Sequence, residues 1–371
     1  MKTRFTLVLA LAASALMLSP LAKAQVQPNT GTDTSPFVYG QPPVGFDPTT
    51  ASDAELDEYG FPPRPSVADT AAYSAWVQAV TGPQTRLTSV VVQPTNINNG
   101  VAQGLQEQGT IGNVTGVTSS NWSGAAITAA NGTFKKNDSF VYAQYLMPAV
   151  GVDNCKYKIT YYMSEWVGID GFNNGDVLQA GTQSTACGTS YVAWYEWFTS
   201  GCTQNTASLP CSEWIISNLP VGPGDYLTDY VWYTTSSPHG HAYLLNFTTG
   251  VAVSIGFNQP AGNAPYAGDS VEWIVERPEV GGSLANLTNY LGAAWDLTYA
   301  YNGTIYVPGG SVKGSTVYNI TMTCPPWNNA NPSFKCKGTE GLSWTQINPL
   351  LGNPSSEQTA IWNFVEGPAY Q

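Results

Sequence analysis

Three short segments concentrate the side chains able to move protons. In SVEWIVERPEV (270–280), strand geometry puts Glu272, Ile274 and Glu276 on one face and Trp273 and Val275 on the other. YVAWYEWF (191–198) does the same for Val192, Trp194, Glu196 and Phe198. WVGIDGFNNGDVLQAGTQ (166–183) sets Trp166, Gly168 and Asp170 on one face, turns through Asn173-Asn174-Gly175, and reaches Gln179 on the next strand. Carboxylates on otherwise apolar strands are costly to bury. They belong either on a solvated face or in a cleft that uses them. Taken together, the three runs predict one concave sheet lined by tryptophan and carboxylate.

What is missing narrows the chemistry. The chain has two histidines, His239 and His241, and no G-x-S-x-G elbow, so a Ser-His-Asp centre lacks support. No Asp-Thr-Gly or Asp-Ser-Gly pair occurs in the β-rich region, which argues against a paired-aspartate centre. Without C-x-x-C and with so few histidines, a zinc site of three or four His/Cys ligands is hard to assemble, and no cofactor is expected. A net charge of -12 without a Lys/Arg cluster disfavours nucleic acid. Hydrolysis here would have to run on carboxylates and amides.

The elements that must position these groups are strands. From Val117 onward, short runs such as FVYAQYLM, DYLTDYVWY, AYLLNF, VAVSIGF and AAWDLTYAY recur, rich in Val, Ile, Tyr, Trp and Thr and parted by Gly/Asn/Pro turns. That pattern predicts an all-β sandwich or barrel over 118–371, with a weaker tail after Cys336. Before it, residues 1–24 read as an export leader: MKTR, a short apolar run, and the small-x-small site Ala22-Lys23-Ala24. The apolar run is too short to span a bilayer, so a secreted chain without a membrane anchor is expected. Residues 25–117 read as a prosegment with little fixed structure up to Pro65. One helix near 66–81 is expected within it, started by Ser66 and Asp69, with Tyr73, Trp76, Val77 and Val80 on one face and Gly82-Pro83 as its stop. That aromatic face should dock either over the cleft or elsewhere on the domain.

Six cysteines in an exported chain suit disulfides. The local pairing Cys202–Cys211, Cys324–Cys336 and Cys155–Cys187 is one of the 15 connectivities that six cysteines allow. Only 10% of residues are charged, with 13 Lys and Arg in all. Acid unfolds proteins by protonating carboxylates the native state needs ionised, so a chain with few cationic partners has few such pairs to lose. Eight N-x-Ser/Thr sequons occur, at Asn113, Asn121, Asn131, Asn137, Asn246, Asn286, Asn302 and Asn319.

The ordered series NWSGAAI (121–127), WVGIDG (166–171), VLQAG (177–181), AWYEW (193–197), LNFTTG (245–250) and EWIVE (272–276) resembles the eqolisin glutamic peptidases. The resemblance covers 121–276 and continues weakly to about 324. It implies a sandwich of two curved antiparallel sheets, of the concanavalin-A or lectin-like jelly-roll kind. It also implies an acid-acting secreted endopeptidase that takes unfolded proteins or peptides as substrates. Gln179 and Glu276 match the family's catalytic pair. Trp122, Trp166, Asp170, Trp194 and Glu196 are similar to residues that line or support its cleft, with Glu272 as an acidic neighbour. Physically, an ionised Glu276 can take a proton from water and return it to the leaving amine, while the Gln179 amide donates to the oxyanion. Neither a membrane nor a nucleic acid is an expected partner, and a monomer suffices.

Some positions depart from the family's pattern. Val192 stands where an Asp usually precedes the AWYEW strand, Gln183 replaces an acid soon after Gln179, and the prosegment is acidic where fungal ones tend to be basic. Two other readings fit parts of the chain. A laminarinase-type glycoside hydrolase carries E-x-D-x-E on one strand. Here the middle residue is Ile274, and Glu272 and Glu276 would lie about 13 Å apart on a regular strand against the ~5–9.5 Å such a pair needs. A lectin-like sugar-binding module would suit the 12% aromatics but would have no use for Gln179 or Glu276.

Overall fold

The alternating runs form strands that fold into two face-to-face sheets. The computed structural model describes residues 36–83, 85–151, 160–201, 211–260 and 266–323, and the backbone of Gly341–Ile347 and Gln358–Trp362. The leader, Cys155, Cys202, Cys324 and Cys336 lie outside these residues. Cys187 and Cys211 are each disulfide-bonded.

The first sheet runs in the order Val92–Pro94, Trp214–Ile216, Ser190–Thr199, Asp176–Ala186, Tyr161–Ile169, Ser270–Glu276, Trp122–Thr128, Thr316–Thr323. These neighbours are all antiparallel; Val114–Ser119 then joins Thr316–Thr323 in parallel. The second sheet runs Gln358–Trp362, Gly292–Tyr301, Phe140–Leu146, Tyr226–Tyr233, Gly240–Asn246, Val251–Phe257. Gly341–Ile347 pairs with a strand of each sheet and bridges them.

Period-two alternation sorts every central strand. Leu178, Ala180, Tyr195, Trp197, Val271, Trp273 and Val275 point inward from the first sheet. They meet Val141, Ala143, Tyr145, Val231, Leu244 and Ile255 of the second. Burying these large side chains contributes roughly 1.5–3 kcal/mol each before entropy is counted. The odd-out face of the first sheet is therefore free to carry Gln179, Glu196 and Glu276.

The segment before residue 117 folds against both sheets. The Pro- and Gly-rich stretch expected to have little fixed structure is built in from Pro36. Phe37–Val38 pairs with Val251–Phe257, and helix Asp53–Glu58 starts on a Ser52/Glu55 capping box. Leu56 and Phe61 are buried on the outer face of the second sheet. These few apolar anchors, spaced without period, hold a chain whose composition alone reads as loop.

The expected helix is Thr70–Thr81, ending at Gly82. Its cap residue is Asp69, which makes no side-chain capping bond, so the Ser66 box does not form. It docks on the outer face of the second sheet, away from the first sheet's outer face. Trp76 is fully buried, and Tyr243 and Tyr299 donate to the Ala79 and Ala72 carbonyls. Alanines 72, 75 and 79 turn inward, more than Tyr73 and Val77, because the tyrosine-lined sheet needs the helix backbone close. Further along the same segment, Val92–Pro94 extends the edge of the first sheet, and residues 95–103 cross that sheet's outer face.

Candidate active site

Register places the polar residues in rows across the first sheet. Glu196 lies opposite Gln179, Gln179 opposite Gly168, and Gly168 opposite Glu272. One row on, Trp194 faces Gly181, Gly181 faces Trp166, and Trp166 faces Ile274. Glu276 lies between Ser164 and Trp122.

Two glycines make room in these rows. A Cβ at Gly181 would stand 2.2 Å from the Glu165 carbonyl oxygen and 2.6 Å from the Trp166 Cβ. At Gly168 it would meet the Trp166 ring at 2.8 Å and the Gln179 Cβ at 3.3 Å. With those positions empty, the Trp166 indole lies flat enough to reach Glu276 and to pack edge-on against Trp122, with ring centres 5.1 Å apart.

Glu276 is held by three donors. Its Oε1 accepts from the Asn121 side-chain amide at 3.0 Å and the Gly100 backbone N–H at 3.1 Å; its Oε2 accepts from the Trp166 indole at 3.0 Å. Gln179 donates from Nε2 to the Asn99 carbonyl oxygen and, at 3.4 Å, to Glu196. Glu196 in turn accepts the Asn99 N–H at 2.9 Å. Gln179 and Glu276 thus touch the two polar edges of one trans peptide group, Asn99–Gly100.

Burial sets the electrostatics. It pushes Glu276 well above the ordinary carboxylate range, while the bonds from Asn121, Gly100 and Trp166 favour its ionised form. Glu196 is pushed up by burial, pulled down by the Asn99 N–H, and pushed up again by Glu213 and Glu276. Glu213, buried and bonded to the Asn99 side chain at 2.9 Å, is raised to about 8.

Of the residues singled out from sequence, Trp122, Trp166, Gln179, Trp194, Glu196 and Glu276 come together on this face. Glu272 shares the face but stands apart beside Ser270 and Asp170; burial raises it foremost. Among the described residues, the Gly100 N–H reaches Glu276, not Glu272. Asp170 does a different job. At φ 73° it accepts the backbone N–H groups of Ala267, Gly268 and Asp269 at 2.8–2.9 Å, which fixes the turn leading into the Glu276 strand.

Asn121, Glu213 and the Asn99–Gly100 peptide were not singled out. Asn121 opens the NWSGAAI string and was legible only as a sequon, yet its side chain is fully buried on Glu276. Glu213 precedes a three-residue strand too short to show a period.

The Peptidase A4 family model matches residues 120–328, a stretch that includes Asn121, Gln179, Glu213 and Glu276. Aspergillopepsin-2 of Aspergillus niger is 31% identical over 189 residues, a match covering 46% of this chain and 61% of that protein. Scytalido-glutamic peptidase, solved with a transition state analog inhibitor, aligns at a TM-score of 0.48 and 19% identity over 66% of this chain and 98% of its own. Aspergilloglutamic peptidase from Aspergillus niger aligns at 0.39 and 25% identity, over 55% and 99%. With more than half of its length matched by the family model, this chain belongs to the Peptidase A4 family.

Proposed function

We propose that this protein is an exported acid endopeptidase, working as a monomer, in which Glu276 is the general base and Gln179 stabilises the oxyanion. One observation carries the reading. The Gln179 amide and the Glu276 carboxylate meet the carbonyl and the N–H of a single peptide group. Those are the two atoms whose charge and proton change when a peptide bond is hydrolysed.

On this reading the substrate carbonyl takes the place now held by Asn99, with its oxygen on the Gln179 Nε2. Gln179 Oε1, which takes no hydrogen bond from the described protein, is left to orient the attacking water. Glu276 removes the water's proton as the C–O bond forms, then delivers it to the nitrogen as the C–N bond breaks. The Asn121, Gly100 and Trp166 donors favour the ionised form of Glu276 and offset part of the rise that burial causes. Glu196 anchors the N–H of the residue before the scissile bond, as it does for Asn99. The aromatic walls of Trp122, Trp166 and Trp194 exclude water and strengthen each of these bonds.

The test is cleavage of an unfolded protein at graded acidic pH, with a pepsin-type inhibitor and a chelator present. Activity that survives both reagents, vanishes in Glu276→Gln and falls about 10²–10³-fold in Gln179→Ala is expected. Folded variants that cleave as well as the parent would overturn the assignment.

A further inference from the structure

Residues 95–103 lie along the site as a substrate would. Thr95 donates to the Glu213 carbonyl at 3.1 Å, and Glu213 donates back to Ile97 at 2.9 Å, which is a strand-like exchange. Asn99 gives its N–H to Glu196 and its carbonyl to Gln179, while its side-chain amide donates to Glu213 at 2.9 Å. Past the peptide bond, the Gly100 carbonyl accepts the Trp122 indole N–H at 3.0 Å. The Val101 carbonyl accepts from the Asn121 amide at 3.1 Å, and Asn121 Oδ1 takes the Gln103 N–H at 2.8 Å. The Ala102 N–H donates to Gly171 at 3.1 Å. Most backbone polar groups from 99 to 103 are thus read by the cleft, and Asn99 is fully buried there. A Cβ at position 100 would meet nothing nearer than the Phe198 ring, at an ordinary contact distance of 3.6 Å, so the far side of the bond is open.

From this register we infer that the Asn99–Gly100 bond is the protein's own first substrate. The chain is made latent by residues 97–103 lying in the cleft, and is released by a single intramolecular cut at this bond. The inference rests on the Gln179/Glu276 reading above. Water's oxygen bonds to the Asn99 carbonyl carbon and its proton passes to Glu276. The C–N bond then breaks with that proton on the Gly100 nitrogen, leaving a carboxylate on Asn99 and an amino terminus on Gly100. Before the cut, no other peptide can reach the pair, because both catalytic side chains are already bonded to this one.

The experiment follows the precursor, purified near neutral pH and shifted to graded acidic pH. Mass spectrometry and N-terminal sequencing identify each new end over time, at protein concentrations a hundredfold apart. The expected first product begins at Gly100, forms at a rate independent of concentration, and precedes the rise in cleavage of an added unfolded protein. Glu276→Gln should leave the chain intact. Gly100→Pro removes the N–H that meets Glu276 without touching the pair. It should abolish this cut and delay activity on added protein at least tenfold, with circular dichroism showing it folded. A first cut elsewhere, or a rate proportional to concentration, overturns the self-cleavage and leaves the peptidase reading standing. So does full activity on added protein while Asn99–Gly100 stays whole. Failure to cleave anything at any pH, with Glu276→Gln alike, removes the peptidase reading itself.

Discussion

Raising the pH from 4 to 8 should unfold this protein more easily, and the cause lies between the two sheets. Asp229 and Glu165 sit in the interior, 2% and 1% exposed, on facing strands of opposite sheets. Asp229 accepts the Tyr145 hydroxyl at 2.6 Å, and neither Glu165 oxygen takes a hydrogen bond. Burial raises Asp229 to about 8, and raises Glu165 well above its ordinary range with Asp229 adding to it. In the unfolded chain both titrate near 4. Between those values the native state holds protons that the unfolded state has lost, so unfolding stability falls as pH rises through the window. The contribution is fully present below about pH 4 and gone above the folded values.

For Asp229 alone, holding a proton to about 8 against a reference of 3.8 converts to roughly 2–4 kcal/mol at pH 7, after allowing for an effective interior dielectric above the dry limit. Domains of this size lose about 2–4 °C of Tm per kcal/mol, so a drop of about 5–15 °C is expected between pH 4 and pH 7. The assay is thermal unfolding by circular dichroism across pH 3.5–8, on the Glu276→Gln background so that self-digestion plays no part. Asp229→Asn keeps an oxygen for Tyr145 to donate to. It should match the parent at pH 3.5 and exceed it by most of that interval at pH 7. A parent whose Tm is flat or rises with pH, or an Asn variant that shifts both ends equally, would refute the linkage.

Three further outcomes follow from the site. Gln179→Ala removes one oxyanion donor and should lower kcat about 10²–10³-fold with KM little changed, read from initial rates on a peptide substrate. Trp166→Phe deletes a donor that favours ionised Glu276, so its pKa rises and the acid limb of the kcat/KM profile moves to higher pH. A pH profile in which that limb stays put or moves down would contradict the role of the indole. Gly181→Ala drives a Cβ into the Glu165 carbonyl and the Trp166 Cβ, and should destabilise the fold by about 1–3 kcal/mol in denaturant titration.

The faces of the central strands were readable because a two-residue period is a strong signal. Trp273 and Val275 go to the core while Glu272, Ile274 and Glu276 go to the other face, as alternation requires. Period says which face a residue takes, not how far along the sheet it lands. Only the register shows that Glu276, rather than Glu272, meets the indole of Trp166 and the amide of Asn121. Glu165 illustrates the opposite limit. Alternation sends Glu165 inward with Met163, Val167 and Ile169, yet nothing in the sequence tells that it meets Asp229 of the opposite sheet there.

The hardest part to read was the segment that fills the cleft, and the reason is physical. TNINNGVAQG has the Asn and Gly content of a loop, with no alternation to mark it as a strand. A site that holds a peptide mostly by its backbone asks little of the side chains it holds. Glu196, Gln179, Glu276, Trp122 and Asn121 all bond main-chain atoms of residues 99–103, so many sequences could lie there. Even at Gly100 an added Cβ would meet only the Phe198 ring, at an ordinary 3.6 Å, so the space there does not single out glycine. The same logic extends to other substrates. Side-chain preference should be weak across most of the cleft and sharpest at the residue before the scissile bond, where Glu213 binds the Asn99 amide. In acid a protonated Glu213 still offers a carbonyl oxygen to such a donor, whereas an ionised side chain placed beside it would be buried without a counter-charge. Asn or Gln at that position should therefore be cut faster than Asp or Glu once the pH exceeds the carboxylate range, and a peptide series varied at that one position would read the difference directly.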